Sequence, residues 1–97
     1  MVAWKSEGHL ARHFGLHGHE VGARTIAEYD ASAQETLAVG RYFAYYDEDS
    51  GETRVGCYDR ASQRFVATTE ADEIVTHFVC PEWYLRGLSD SEYDDER

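Results

Sequence analysis

Cysteine is scarce in this chain. Only Cys57 and Cys80 occur, too few for the disulfide framework that holds small secreted domains together. They can pair only if neighbouring strands bring them together, and two reduced, half-covered thiols are the expectation. Proline occurs once, at Pro81, so few elements are interrupted from within. No apolar run approaches the roughly 18 residues that a membrane-spanning helix needs, and the N-terminus lacks the apolar core of a signal peptide. These absences lead us to expect a cytoplasmic product with no membrane partner. Basic residues are also few, 9 Lys and Arg against 19 Asp and Glu, for a formal charge of −10. A field of that sign gives no general attraction to nucleic acid, whose affinity comes from neutralised phosphates.

The deficit is uneven. Residues 1–25 sum to +1 before their histidines are counted, and residues 26–97 sum to −11. A local basic surface in the first segment is therefore compatible with the overall charge, because salt screens surface charges beyond roughly 10 Å. At 97 residues the chain is long enough for one domain. We place a lead-in over 1–8, the domain over 9–88 and an acidic, frayed tail over 89–97.

What the chain has in plenty is histidine near its start. Four of five lie between His9 and Gly22, and His9, His13 and His17 recur every fourth residue, a spacing that stacks them on one helix face. Ser6 supplies an N-cap and Gly18 a stop. Leu10 and Phe14 sit one position after His9 and His13, which puts the histidines at the border of the buried stripe. A second helix is predicted over 25–39, opened by the capping pair Thr25 and Glu28 and carrying Ile26, Tyr29, Ala33 and Leu37 inward. After Gly40 the period changes to two. Strands are predicted over 41–46, 53–58, 64–69 and 73–79, separated by short polar turns. In the second strand, Val55 and Cys57 share one face, and Arg54, Gly56 and Tyr58 the other. Trp83, Tyr84 and Leu85 form a short apolar clasp. The expected fold is α+β: two N-terminal helices packed on a four-stranded antiparallel meander sheet.

Three chemistries are open to these residues. Histidine titrates near neutrality, so His13 and His17, with Arg41, Arg54 or Arg64 as anion donors and Thr76 as a hydroxyl, can supply the base, acid and charge stabilisation that metal-independent RNA cleavage requires. His77, beside Thr76, is a further contact. His13 and His17 can instead join Cys57 and Cys80 around zinc. Tyr42, Phe43, Tyr45 and Tyr46 can stack bases, or fill a core and a half-exposed sheet face. The acidic surface also suits a protein partner, and a binding module without catalysis is the alternative to an enzyme.

The run HFGLHGHEVGARTIAEYDASA, with Arg54, Tyr58-Asp59, Phe65-Val66 and the Thr76–Pro81 segment in that order, resembles small RNase toxin domains of the barnase–EndoU–colicin–RelE superfamily. These are of the colicin-D-like kind found at the C-termini of polymorphic and contact-dependent toxins. The resemblance spans about residues 9–85. It implies a two-helix-plus-sheet RNase that cleaves RNA, often tRNA, without a metal or other cofactor, and that has an immunity or antitoxin protein as partner. By position it matches His13 and His17 to two helix histidines, Thr76 to a last-strand hydroxyl, and Arg54 and Tyr58 to sheet positions facing one cleft. With the residue reading, we take His13, His17, Arg54 and Thr76 as catalytic and Arg41, Tyr58, Arg64 and His77 as substrate contacts. Leu16 stands where the resembling domains carry lysine.

Overall fold

A computed structural model describes residues 1–93. The element order is α1 (Glu7–His17), a 3-10 turn (Gly18–Val21), α2 (Ile26–Val39), β1 (Arg41–Asp47), β2 (Glu52–Asp59), β3 (Arg64–Thr69), β4 (Ile74–Val79) and α3 (Glu82–Arg86). The fold is α+β, with N-terminal helices packed on a four-stranded antiparallel meander in the order β1-β2-β3-β4.

Each helix starts where its cap dictates. Ser6 Oγ accepts from His9 N at 3.0 Å, and Thr25 Oγ1 accepts from Glu28 N at 3.1 Å. Both satisfy a backbone donor that the first turn leaves unpaired. The α2 stripe of Tyr29, Ala33 and Leu37 is buried, but Ile26 is exposed: at the first turn it lies beyond the sheet it would cover. Ser32 and Thr36 take up the rest of the buried face. Thr36 manages this by donating to Ser32 O at 2.9 Å.

The sheet has two unlike faces. One, carrying Cys57, Val66 and Ile74, packs against Ala33 and Leu37 of α2. The other carries Phe43, Tyr45, Tyr58, Phe65 and Ala67, and is closed by Leu85 of α3 and by Tyr93. The alternation of β2 follows the expected pattern. Gly56 has a steric reason to lack a side chain: a Cβ there would lie 2.6 Å from Phe43 and 2.8 Å from Phe65.

Both chain ends depart from expectation. The lead-in is not loose. Lys5 N donates to Ile74 O and Ile74 N to Ala3 O, each at 2.9 Å, so the segment joins the outer side of β4 as a parallel bridge at Trp4. The expected frayed tail is instead docked as far as Tyr93. Ser89 bridges Tyr46, Glu92 N donates to Ala44 O, and Tyr93 packs edge-on to Phe43 and Tyr58. The apolar area of a buried tyrosine outweighs the solubility of its acidic neighbours. Residues 94–97 of the tail lie outside the described residues. Among the described residues, no helix is long and apolar enough to cross a membrane.

Candidate functional site

β4 is an edge strand, and α1 lies along it. The helix has no fully buried residue, so polar contacts carry much of its attachment. Thr76 Oγ1 and His13 Nδ1 are 3.0 Å apart. Beyond the helix end, the Glu20 carboxylate accepts from Val79 N at 3.1 Å and pairs with His17 Nδ1 at 2.8 Å. Burial works against that charge, but the His17 and Val79 hydrogen bonds outweigh it and hold the Glu20 carboxyl below its usual range.

His9, His13 and His17 stack as the spacing implies, with ring centroids 6.1 Å and 5.9 Å apart. Their surroundings differ. His17 turns to Phe78 and Glu20. His9 and His13 open on a cavity of about 520 Å³ between α1, the sheet face and α3. Its walls include Arg12, Tyr45, Asp47, Asp49, Arg54, Phe65, Thr76, Phe78 and Tyr84. Partial burial, then the neighbouring His17, His9 and Arg12, lower the His13 pKa, which favours its neutral form. Among the described residues, no buried polar side-chain atom lacks a partner. The Nε2 of His13, for which the described residues supply no hydrogen bond, is therefore open to solvent.

Arg54 is only 6% exposed. Its guanidinium is held by Glu52 at 2.7 Å and lies 3.9 Å from Asp47, so it reaches the cavity with much of its charge already matched.

The cavity thus unites His13, Arg54 and Thr76 of the expected set and leaves five others aside. His17 stands behind His13. His77, expected to meet substrate, is 0% exposed. Its Nδ1–H donates to Phe65 O at 2.9 Å, and its Nε2 accepts from Ser32 Oγ at 2.8 Å, an arrangement fixed by the carbonyl, which can only accept. Burial drives its pKa down to about 4. The one-residue step from Thr76 to His77 crosses the sheet, so adjacency in sequence placed His77 wrongly. Tyr58 is also buried, donating to Cys80 O at 2.7 Å. Arg41 lies over the Tyr93 ring at 5.0 Å, at the end of β1 remote from the cavity. Arg64 donates to Val21 O at 3.3 Å and supports the 3-10 turn. Leu16 is 51% exposed and lies outside the cavity walls, so that position contributes nothing to the cavity.

The zinc arrangement is not assembled. Cys57 and Cys80 are free and buried and belong to the cores on opposite faces of the sheet. Among the described residues, no three histidine, cysteine or acidic side chains converge as metal ligands. Of the strand-one aromatics, Phe43 and Tyr45 are core, whereas Tyr42 and Tyr46 are exposed.

Sequence reasoning passed over His9, Arg12 and Tyr84. The signal for His9 was its i+4 relation to His13; Arg12 adjoins His13 in sequence. Tyr84 had no local signal, since α3 reaches the cavity only through the sheet. Compared with family models, curated proteins and solved structures, the chain matches none.

Proposed function

We propose that the chain is an RNase-like domain that cleaves RNA by metal-independent attack of a ribose 2′-hydroxyl on the adjacent phosphate. The observation that carries this reading is the His13–Thr76 contact at the wall of a cavity that also holds Arg12 and Arg54. With Nδ1–H donating to Thr76 Oγ1, the solvent-facing Nε2 presents a lone pair. A neutral imidazole so oriented can take the 2′-hydroxyl proton. His9, on the same cavity, protonates the leaving 5′-oxygen in this reading, in place of His17, which the sequence pattern paired with His13 as base and acid in either order. Arg12 and Arg54 supply donors for the charged phosphorane. The products are a 2′,3′-cyclic phosphate and a 5′-hydroxyl. A tRNA substrate, an immunity or antitoxin partner and a cytoplasmic site of action are further parts of this proposal, and they rest on the resemblance alone.

The test incubates pure protein with total RNA and tRNA in EDTA. Cleavage leaving cyclic phosphate ends is expected, with a loss of roughly 10²–10⁴-fold in His13→Ala. Intact RNA after prolonged incubation would refute the reading.

The matched charge of Arg54 favours a second reading, a binding module on this fold without catalysis. Expression toxicity separates the two: an active RNase arrests growth, and a binding module does not.

A further inference from the structure

A second cavity, of about 210 Å³, adjoins the first and lies between the β1–β2 turn and the end of α3. Tyr45, Tyr46, Asp47, Glu48, Asp49 and Tyr84 contribute to its walls. The β1–β2 hairpin carries four carboxylates near its turn, Asp47, Glu48, Asp49 and Glu52, and one guanidinium, Arg54, which engages two of them. Asp47 and Glu52 are engaged by Arg54, and Asp47 also accepts from Ser50 N at 3.3 Å. Glu48 and Asp49 have no ion-pair or hydrogen-bond partner among the described residues, which leaves two uncompensated negative charges at the cavity.

A separate observation comes from Tyr45. The side chain is only 8% exposed, yet its hydroxyl has no hydrogen-bond partner among the described residues. Among the described residues no buried side-chain N or O atom is left unsatisfied, so this hydroxyl reaches open space, and Tyr45 lines both this cavity and the larger one it adjoins. A tyrosine held this deeply by Phe43 and Phe65, with an unused hydroxyl at the cavity, is a fixed polar anchor for a ligand. Tyr46 and Tyr84 are 40% and 39% exposed and offer ring surface beside the carboxylates.

Carboxylates beside aromatic rings suit an organic cation. A planar guanidinium has five donors in a fixed fork. It can stack on a ring while meeting a carboxylate and a hydroxyl together, which a compact ammonium cannot do as well. We propose that this cavity receives the guanidinium of an arginine from a basic polypeptide partner. Glu48 and Asp49 match its charge, Tyr45 accepts one N–H, and Tyr46 or Tyr84 lies against its plane. The proposal is independent of catalysis, since none of these groups is needed to move a proton at His13.

The test titrates the ¹⁵N-labelled full-length chain with tetra-arginine amide, and in parallel with tetra-lysine and tetra-citrulline amides. Arginine is expected to shift amides of residues 45–49 and 84–89 selectively. Citrulline, which keeps the shape without the charge, is expected to shift none. The Glu48→Gln/Asp49→Asn double variant should bind arginine roughly three- to tenfold more weakly. Tyr45→Phe should also weaken binding while leaving the melting temperature unchanged, since the hydroxyl has no internal partner to lose. Shifts spread evenly over the acidic surface, undiminished affinity in the double variant, or equal binding of lysine would each overturn the proposal.

Discussion

Lowering the pH should destabilise this protein through His77, and the size of the effect follows from its burial. In the folded chain the imidazole is 0% exposed and burial pushes its pKa down to about 4, against 6.5 for an ordinary histidine. Between those values the unfolded chain binds more protons than the folded one, so stability falls as pH falls. The loss begins near the unfolded value and is complete below the folded one. A shift of this size corresponds to about 3 kcal/mol in full, of which about 2 kcal/mol is spent between pH 7 and pH 5. That is a large share of the 5–15 kcal/mol typical of a small domain. Protonation also obliges Nε2 to donate, so the Ser32 hydroxyl, which now donates to it, must turn and accept instead. Two other terms act over the same range. The net charge of −10 is partly relieved in acid, which favours the compact state. The lowered pKa of His13 acts in the same direction as His77. Urea denaturation of the wild type and of His77→Gln at pH 7 and pH 5 separates them, because only the His77 contribution is absent from the variant. The wild type should lose about 2 kcal/mol more than the variant over that interval. Should His77→Gln fail to fold, NMR titration of the wild-type imidazole gives the same quantity. Equal losses in the two proteins, or a His77 titration near 6.5, would refute the reasoning.

Two further perturbations probe the packing. Burial raises Cys57 to about 11 and Cys80 to about 12; both thiols should resist an aromatic disulfide reagent at about pH 8 until denaturant is added, and rapid reaction of either in the native chain would count against the described cores. Tyr93→Ala removes a ring packed edge-on to Phe43 and Tyr58 and a hydroxyl donating to Glu82 Oε2 at 2.7 Å. It should cost about 2–4 kcal/mol, read as a fall in melting temperature of roughly 10 °C or more, and an unchanged melting curve would mean that the segment after Leu88 is not docked.

The elements were legible because local signals agreed with one another. Ser6 and Thr25 marked helix starts, Gly40 marked the change of period, and strict alternation in β2 sorted Arg54 from Cys57. The helix and strand boundaries lie within a residue or two of expectation for that reason. Within the site, His13 and Thr76 were named among eight candidates, and the fold brings these two to 3.0 Å. Placement in three dimensions was not legible. Nothing near Arg54 in sequence shows that Asp47, across the β1–β2 pair, will share its charge. Similarly, nothing near His77 shows that α2 will enclose it with Ser32. Tyr93 was lost in an acidic stretch whose composition suggests solvent. Its partners Phe43 and Tyr58 lie on strands that a local window does not join to it.

The attachment of α1 gives the candidate site its character. An edge strand exposes a row of unpaired backbone groups, and proteins cover or disrupt such edges. Here the covering is done in three places along β4: by the bridge at Trp4, by His13 on Thr76, and by Glu20 on Val79. Two of the three use side chains that titrate, or that pair with one that does. The imidazole proposed above as the base is thus also a fastening of the helix that carries it. This has two consequences for its chemistry. The Thr76 contact restrains the ring at the cavity wall, which is the preorganisation that the proposed general base requires. In the tautomer whose Nδ1–H donates to Thr76 Oγ1, a proton gained at the other nitrogen leaves that bond in place, so the ring can cycle between charge states without releasing the edge strand. An imidazole anchored through Nε2 instead would have offered Nδ1, closer to its own backbone, to the cavity. The choice of nitrogen at this one contact therefore lets a histidine serve the edge and the cavity together.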